Sequence, residues 1–565
     1  MYEEKIKRAI KKAMKVKEVH LETPDLEGHG DFATNIAMVV AKEEKKNPRD
    51  TAKKIKDMLS KDDELSKYIS KIEVAGPGFI NFWLSEEALI SNLEGIIKKD
   101  DTSKIASLYK GKKIMIEYAH PNTHKELHIG HLRTLILGES LSRIFEAVGA
   151  RVFRVNYQGD IGPHVAKSIW GTEKILKAKG LSIEKVDSKY SLIEKAKLLG
   201  EGYVKGVGEY EDNKDEIDAI NNKIYQKDEK IDAVYQKTRQ WSLDYYDLFY
   251  KQFATKFDRF YFESEVYEKG KSIVLDNIGK VFEKSEGAII FDGEKYGLHK
   301  RVFITKDGNP TYEAKDMALA PLQLGDFAFD QNIHVVANEQ KGYFEVVFKA
   351  LEIIDPKLKG REFHLSMGMV NLVGKKISSR KGEIQRVNEL TDKVKQKLSP
   401  LINEKIEKDE KDKVAEKTTI GAIKYSILKV NPKMDVLFDI EKSINFQGNS
   451  GPYLQYTHAR CKSVIRKLKT KEIVKKVNKI NKEEEKILRS FSQYEGVIID
   501  AAKYYSPGII CNYLHDMAQK YNNFYNSNRI IGDEKESFRI LVTIACSKIL
   551  KDGLNLLGIE APERM

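Results

Sequence analysis

Hydrophobic and polar positions divide the chain into stretches of different spacing. In the first stretch, amphipathic helical patterns around Asp31 to Lys46 and from Pro48 to Leu59 precede a strand-like run from Lys71 to Leu84. A turn at Gly76-Pro77-Gly78 interrupts that run. We therefore predict a small α+β domain over residues 1–107.

From Gly111 onward, short apolar strands alternate with helices, the pattern of a parallel α/β sheet. The predicted strands are Lys113–Tyr118, Arg151–Tyr157, Arg301–Thr305, Ile333–Ala337 and Phe363–Met369. The predicted helices between them are Gly130–Val148, Glu313–Leu324 and Gly342–Ile354. Highly charged helical sequence breaks the alternation over about 171–284, which we interpret as an insertion into an α/β domain spanning 108–390.

After about Leu390 the spacing is helical, and no run there has a convincing strand pattern. We predict a helical linker over 391–445 and an all-α domain over 446–565. The lysine-rich run from Lys469 to Lys486 fits either a solvated helix face or a contact to RNA, and the pattern leaves both open.

The charge balance adds a hint about partners. The 97 Lys and Arg residues outnumber the 85 Asp and Glu residues, for a formal net charge of +12. This excess favours a polyanionic partner such as nucleic acid, but a generally lysine-rich composition explains it equally well.

The cysteines and the apolar runs restrict the cellular location. Cys461, Cys511 and Cys546 form no Cys-x-x-Cys pair, which argues against a disulfide framework and a zinc ribbon. The first residues lack an apolar run of signal-peptide length, and their pattern favours a surface helix. No run of apolar residues is long enough to span a membrane. We therefore expect a reducing compartment, the cytoplasm.

Two histidines follow the first predicted strand of the sheet. The strand ends at Tyr118, a Pro121-Asn122 turn follows, and His128-Ile129-Gly130-His131 opens a helix. This turn is expected at the carboxyl ends of the parallel strands, where doubly wound sheets bind nucleotides. Helix-start N–H groups and imidazoles donate to phosphate, and Gly130 lets a base approach the backbone closely. Alone the signal is weak, because two loop histidines also occur incidentally.

A second basic element, Lys375 to Gly382, follows the last predicted strand of the sheet. Its cations would neutralise a leaving pyrophosphate, whereas in isolation it also fits a basic surface turn. Because both elements follow strands and occur in this order, together they indicate a nucleotidyl-transfer site.

The two elements resemble the signature motifs of class I aminoacyl-tRNA synthetases. His128 to His131 matches the HIGH motif, and Lys376 to Arg380 resembles a KMSKS loop whose second lysine is replaced by Ser379. The resemblance implies a Rossmann-type catalytic domain, catalytic roles for His128, His131 and Lys376, and ATP binding by His128, Gly130, His131, Lys376, Ser378, Ser379 and Arg380. We add Lys125 as a catalytic residue, on the hypothesis that it supplies the missing charge.

The resemblance extends over most of the chain to arginyl-tRNA synthetases. Glu117 to Asn122 resembles that family's Glu-x-x-x-Pro-Asn turn, Tyr312 to Asp316 its Tyr-x-x-x-Asp helix, and Asn338 to Gln340 the segment carrying its glutamine. The implied arginine-binding residues are Glu117, Pro121, Asn122, His131, Tyr312, Asp316 and Gln340.

These residue types suit arginine chemically. Glu117 and Asp316 can accept hydrogen bonds from the planar guanidinium, beside which Tyr312 can pack. Asn122 and Gln340 can bind the α-amino and carboxylate groups. Glu117 lies on a buried strand, where an unpaired carboxylate is costly, so we expect it to have a partner. Asp316 also fits a surface ion pair, and Gln340 also fits the start of a helix.

The first domain resembles the N-terminal module of the family, which engages the D-loop of transfer RNA. The matching runs are Gly30 to Asn35 and Gly76 to Asn81. Phe79 and Asn81 are the implied contacts, since aromatic rings stack on splayed bases and amides read base edges. Phe79 fits a core position equally well.

The last domain resembles the helical anticodon-binding domain of the family, of the DALR type. The runs Gly451 to Tyr456 and Tyr521 to Tyr525 carry this resemblance, and Tyr456 and Arg460 are the implied RNA contacts. The terminal run 557–565 also matches the family ending, for which the sequence offers no physical reason.

The resemblance implies an arginine–tRNA ligase. Such an enzyme activates L-arginine with ATP and Mg²⁺, then transfers arginine to the 2′-hydroxyl of the terminal adenosine of tRNA(Arg). We expect a monomer with no tightly bound metal and no membrane association. Two alternatives stay open: a synthetase-like RNA-binding paralogue without catalysis, and a class I enzyme for another amino acid, which would lack the set Glu117, Tyr312 and Asp316.

Overall fold

The computed structural model describes residues 2–24, 27–105, 108–373, 386–402, 407–468 and 480–565. The N-terminal domain combines helices with a three-stranded antiparallel sheet in the order β1-β3-β2. Its elements are α1 (Tyr2–Met14), β1 (Phe32–Thr34), α2 (Ile36–Glu44), α3 (Pro48–Leu59), β2 (Ile69–Ala75), β3 (Phe79–Leu84) and α4 (Glu86–Lys98).

The strand-like run of the sequence forms the β2–β3 hairpin, with Gly76 and Gly78 at positive φ in its turn. The predicted helix from Asp31 was wrong in its first turn. Residues 32–34 pair with β3 as strand β1, and all three are buried, a pattern that one helix face cannot provide. The helix starts at Ile36 instead.

The second domain is built on a five-stranded parallel sheet in the order β11-β10-β4-β5-β6. Its elements are β4 (Lys113–Glu117), α5 (Ile129–Ala147), β5 (Arg151–Gln158), α6 (Pro163–Ala178), α7 (Ile183–Lys189), α8 (Leu192–Gly208), α9 (Lys214–Gln226), α10 (Glu229–Gln252), β6 (Arg259–Phe262), α11 (Glu263–Asp276), β7 (Glu283–Ser285), β8 (Ala288–Phe291), β9 (Arg301–Ile304), α12 (Tyr312–Asp326), β10 (Gln331–Ala337), α13 (Lys341–Ile354), β11 (Glu362–Met367), β12 (Val370–Leu372) and α14 (Val387–Leu398).

Two strands differ from the sequence prediction. Strand β6 falls inside the range 171–284, assigned to the insertion, yet it pairs with β5 as an edge of the main sheet. Strand β9 was expected in the parallel sheet but joins β7 and β8 in a separate antiparallel sheet. Both strands have only four residues, too few for periodicity to assign them to a sheet.

The C-terminal part is helical except for one short strand. Its elements are α15 (Lys408–Leu428), β13 (Val436–Phe438), α16 (Ile440–Ser443), α17 (Gly451–Arg466), α18 (Lys482–Lys503), α19 (Gly508–Ser527) and α20 (Glu536–Leu556). Strand β13 pairs in parallel with β12, so the expectation of no strand after Leu390 was wrong. None of the helices in the described ranges combines the length and apolar character of a membrane crossing.

The C-terminal tail, residues 557–565, contacts other parts of the chain. These contacts provide the physical reason for the terminal run that the sequence alone did not explain. The Lys424 ammonium on α15 donates to the backbone carbonyls of Phe253 (2.6 Å) and Gly558 (2.5 Å). Further along the tail, Gln455 donates to the carbonyl of Glu560 at 2.7 Å. The tail thus joins the catalytic domain, α15 and α17.

Candidate active site

His128 and His131 form the N-terminal cap of α5 at the carboxyl edge of the central strand β4. The His128 N–H donates to His131 Nδ1 (3.3 Å), and the Gly130 N–H donates to His128 Nδ1 (3.1 Å). The two rings stack with centroids 3.8 Å apart. These bonds form a capping box that fixes both imidazoles at the helix start.

The hydrogen bonds also define the protonation of the two rings. Burial and the nearby Lys125 ammonium lower the pKa of His128 to about 4, and burial, His128 and Lys125 lower the pKa of His131 further. Both rings are therefore neutral at pH 7. Because each Nδ1 accepts a hydrogen bond, each Nε2 carries the proton and is available as a donor.

Lys125 lies beside this turn, held by the insertion. Its Nζ sits 4.3 Å from the centre of the Tyr203 ring on α8, a cation–π contact. Its charge lowers the pKa of His128, His131 and His164. The structure therefore brings this candidate cation to the histidine turn.

The predicted ATP-binding residues Lys376, Ser378, Ser379 and Arg380 lie outside the described residues. The residues flanking them are anchored near the histidine turn. Arg386 forms a backbone bridge with His128, and its guanidinium contacts Glu126 at 2.9 Å. On the other side, the Val373 N–H donates to the carbonyl of Phe438 at 3.0 Å.

Glu117, at the end of β4, has partners on both carboxylate oxygens. His334 Nδ1 lies 3.0 Å from Oε1, and the Gln323 amide donates to Oε2. Burial raises the pKa of Glu117, but the His334 charge and hydrogen bond, with smaller effects of His120 and Gln323, bring it to about 2. The expected partner of this buried acid is thus found on β10, and Glu117 is ionised.

Four carboxyl groups lie around the buried hydroxyl of Tyr157. Burial raises the pKa of this phenol well above its usual value, and the nearby Glu263, Asp316, Glu117 and Asp160 raise it further. The hydroxyl is buried without a hydrogen-bond partner among the described residues. This cluster of Tyr157 and four acids, here called the acid pocket, suits a cationic ligand that supplies the missing polar contacts.

Protein cations compensate three of these acids. The ion pairs are Glu117 with His334, Asp160 with Arg239 and Glu263 with Lys315. Asp160 also accepts from the Ser264 N–H at 2.9 Å, so its carboxylate satisfies a backbone donor in the first turn of α11.

Asp316 differs from the other three, because its partner is a phenol. The Tyr343 hydroxyl donates to Asp316 Oδ2 at 2.6 Å, and within the described ranges no Lys, Arg or His forms an ion pair with this carboxyl. Burial raises the pKa of Asp316 to about 8, against the opposing hydrogen bond from Tyr343 and with a further rise from Glu117. Asp316 is therefore largely protonated at neutral pH.

Asn122 and Glu263 of this cluster both lie next to Gly159. A Cβ at Gly159 would meet Asn122 Oδ1 at 2.1 Å, so only glycine permits this placement. The Asn122 carbonyl accepts from the Tyr246 hydroxyl at 2.6 Å, and Pro121 before it is buried. The preceding residues Ala119 and His120 have positive φ, the kind of backbone strain found at binding sites.

Tyr312 and Gln340 lie at the rim. Tyr312 is 53% exposed at the start of α12, one turn before Asp316, and the Lys315 ammonium lies 4.9 Å from its ring centre. Gln340 is exposed and occupies the N-cap position of α13 without a side-chain capping hydrogen bond. The structure brings Glu117, Asp316 and Asn122 together, and its contacts do not extend the cluster to Gln340.

The predicted RNA contacts divide into buried and exposed residues. Phe79 is half-buried and Asn81 is 4% exposed in β3. On the C-terminal domain, Tyr456 and Tyr525 are each 37% exposed, with the Arg460 guanidinium about 5 Å from both rings. This platform has the aromatic and cationic character that binds single-stranded RNA.

Sequence reasoning missed the residues that complete the acid pocket. His334, Lys315 and Tyr343 each contact an acid of the pocket from a different element. The Glu263–Lys315 pair carried no signal, because the partners lie on α11 and α12. A histidine within the apolar strand Gln331–Ala337 was a usable signal, since a buried imidazole needs polar partners.

Comparison with known proteins agrees with this geometry. The profile for the catalytic domain of class I tRNA synthetases of the arginine type matches residues 92–440. The profile for the DALR anticodon binding domain matches residues 454–565, and the arginyl tRNA synthetase N terminal domain matches residues 1–84.

Full-length relatives and solved structures match almost the whole chain. The arginine–tRNA ligase of Parabacteroides distasonis is 30% identical, over 95% of this chain and 94% of the relative. That of Treponema denticola is 31% identical, over 97% and 95%. Among structures, Thermus thermophilus arginyl-tRNA synthetase has a TM-score of 0.83 at 23% identity, with 100% of both chains covered. The Plasmodium falciparum enzyme has a TM-score of 0.80 at 22% identity, with 100% and 99% covered. The chain belongs to the arginyl-tRNA synthetase family of class I aminoacyl-tRNA synthetases.

Proposed function

We propose that this chain is an arginine–tRNA ligase, which activates L-arginine with ATP and loads it onto tRNA(Arg). The observation that carries this proposal is the acid pocket around Tyr157, in which Asp316 has a phenol rather than a cation as its partner. A guanidinium supplies the missing cation, and its planar set of donors matches carboxylate geometry.

Arginine recognition follows from the pocket contacts. The guanidinium displaces the proton of Asp316, and Tyr312 packs beside it at the rim. Glu117 contributes a fixed negative charge, while Asn122 and Gln340 bind the α-amino and carboxylate groups. An uncharged or shorter side chain leaves the Tyr157 hydroxyl and Asp316 without the contacts that the guanidinium makes, so binding alone discriminates strongly against it.

Activation joins arginine to the nucleotide. A carboxylate oxygen of arginine attacks the α-phosphorus of ATP, the bond from that phosphorus to the bridging oxygen of the β-phosphate breaks, and pyrophosphate leaves. The Nε2–H groups of His128 and His131 donate to the phosphate oxygens, whose negative charge grows in the transition state. Lys125 and Lys376 stabilise the leaving pyrophosphate, and Mg²⁺ enters with ATP as part of the substrate.

Transfer completes the reaction. The 2′-hydroxyl of the terminal adenosine attacks the carbonyl carbon of the arginyl-adenylate, its proton is lost, and AMP leaves. Residues far from the reacting groups hold the RNA in place. Phe79 binds at the D-loop, and Tyr456 and Arg460 bind at the anticodon, whereas Asn81 is too buried to contact RNA. The Arg460 contacts to Tyr456 and Tyr525 support the second of these sites.

The protein acts as a monomer in the cytoplasm, without a tightly bound metal. The reducing environment agrees with Cys461, Cys511 and Cys546, which are all buried as free thiols. Sedimentation of the full chain at micromolar concentration tests the monomer, because a dimer would have twice the mass.

Aminoacylation tests the proposed function. The full chain is incubated with total transfer RNA, MgATP and each of the twenty amino acids in turn. We expect charging with arginine alone. Charging with another amino acid would identify a different class I enzyme, and tight RNA binding without charging would identify a catalytically silent paralogue.

A further inference from the structure

His334 on β10 lies between two buried carboxylates. Its Nδ1 is 3.0 Å from Glu117 Oε1, and its Nε2 is 2.6 Å from Glu362 Oε2. The side chains are 7% exposed for His334 and 3% for each glutamate. The strand register explains the first contact, because His334 pairs directly with Glu117 in the parallel β10–β4 ladder.

Both ring nitrogens face an acceptor, which requires the imidazolium. A neutral ring could donate to one carboxylate only and would direct a lone pair at the other. The other titratable groups that face His334 are His120, His364 and Asp316. Glu117 and Glu362 outweigh burial and raise the pKa of His334 to about 10, so the cation persists across the neutral range.

The ring is fixed on its remaining sides. Phe344 and Phe348 of α13 each pack with ring centroids 5.3 Å from that of His334. His334 therefore has one orientation, and its hydrogen bond gives Glu117 one orientation as well. Gln323, which accepts from Asn332 at 3.1 Å, holds the second carboxylate oxygen of Glu117.

We propose that His334, anchored by Glu362, is a positioning residue for the amino-acid substrate: it holds Glu117 as an oriented carboxylate beside the arginine pocket. This inference rests on the proposed function. The ring nitrogens of His334 contact Glu117 and Glu362, and neither contacts the histidine turn that binds ATP. Its removal therefore weakens arginine binding selectively and leaves ATP binding unchanged.

Two substitutions at His334 separate the contact with Glu117 from a general structural role. The amide nitrogen of Asn lies near the position of Nδ1, whereas that of Gln lies nearer to Nε2. His334→Asn therefore preserves a donor to Glu117, and His334→Gln preserves one to Glu362. Glu362→Gln removes the negative charge of the anchor but keeps an acceptor for Nε2, and it leaves the side chains of His334 and Glu117 unchanged.

Arginine-dependent ATP–pyrophosphate exchange with transfer RNA present gives the readout. We expect His334→Gln to raise the KM for arginine by about tenfold or more, His334→Asn and Glu362→Gln to raise it less, and the KM for ATP to stay within about twofold. In His334→Gln no imidazolium offsets the burial of Glu117, so the pKa of Glu117 rises. We therefore expect log KM for arginine to fall more steeply with pH between pH 6 and 8 in this variant than in the wild type.

An unchanged arginine KM in folded His334→Gln, or equal changes in the KM values for arginine and ATP, would overturn the inference. If His334→Gln does not fold, Glu362→Gln decides by the same two criteria. Failure of the wild type to exchange with arginine would refute the proposed function instead, so the two failures are distinguishable.

Discussion

The Tyr343 hydroxyl donates a 2.6 Å hydrogen bond to Asp316 in a pocket where the neighbouring acids have cationic partners. The burial that makes this carboxyl costly to ionise also raises its pKa to about 8. Arginine binding and proton release at Asp316 are therefore coupled, since the guanidinium favours the ionised carboxylate.

The first prediction concerns pH. Below about pH 8, Asp316 must lose a proton when arginine binds, so arginine affinity rises with pH and levels off above the pKa of Asp316. We expect log KM for arginine to fall by about one unit per pH unit between pH 6 and 7.5. ATP–pyrophosphate exchange at a series of pH values measures it, with the KM for ATP as the internal control.

Asp316→Asn provides the matched variant for this experiment. It keeps the size of the side chain and removes the titrating group, so arginine binding becomes weaker and loses the slope that Asp316 contributes. A wild-type arginine KM that is flat from pH 6 to 8 would contradict the assignment.

The second prediction concerns Lys125, whose Nζ lies 4.3 Å from the Tyr203 ring centre. Lys125→Ala removes a cation beside the leaving pyrophosphate. We expect kcat for exchange to fall by about ten- to hundredfold with little change in arginine KM. Lys125→Arg keeps the charge and should retain most activity. Exchange that survives Lys125→Ala intact would show that Lys125 does not replace the second KMSKS lysine.

The third prediction concerns Gly159. A Cβ there would lie 2.1 Å from Asn122 Oδ1 and so displaces Asn122. We expect Gly159→Ala to raise the KM for arginine by about tenfold, and Asn122→Ala to add little in the double variant because both changes remove the same contact. Gly325→Ala is the control, since its Cβ would enter open space at an exposed helix position. Fully additive effects of the two substitutions would show that Gly159→Ala does not act by displacing Asn122.

The fourth prediction concerns the tail. Gly558 has a φ of +67°, and a Cβ there would approach Lys424 Nζ to 2.8 Å. Gly558→Ala therefore introduces strain of about 1–3 kcal/mol at the junction of the tail and α15. We expect a lower Tm than the wild type in a thermal melt, with Gly325→Ala unchanged. Equal Tm values for the two variants would mean that the tail contact does not stabilise the fold.

Much of the fold could be predicted from the sequence. Helix α5 and strands β4 and β5 lie within about two residues of their predicted ends, because each is a largely apolar run bounded by glycines or turn residues. Strands β6 and β13 could not be assigned, since three or four residues carry no period. Their partners β5 and β12 lie far away in the sequence, and only the folded chain reveals the pairing.

The candidate site shows the same division. Glu117, Asn122 and the two histidines follow one strand and could be placed together by sequence distance alone. His334 could not be connected to Glu117, because their contact depends on the order of strands in the sheet. The protonation state of Asp316 depends on its burial by several elements, and no local sequence pattern encodes that burial.

The acid pocket recognises arginine by the charge of its guanidinium. Citrulline has nearly the shape of arginine and an uncharged end group, so it tests this claim most directly. ATP–pyrophosphate exchange is measured with the full chain, transfer RNA and either amino acid. We predict that kcat/KM for arginine exceeds that for citrulline by at least about a thousandfold, because citrulline lacks the positive charge that pairs with the ionised Asp316. Exchange of comparable efficiency with both amino acids, or no exchange with arginine, would show that the acid pocket does not select arginine by its charge.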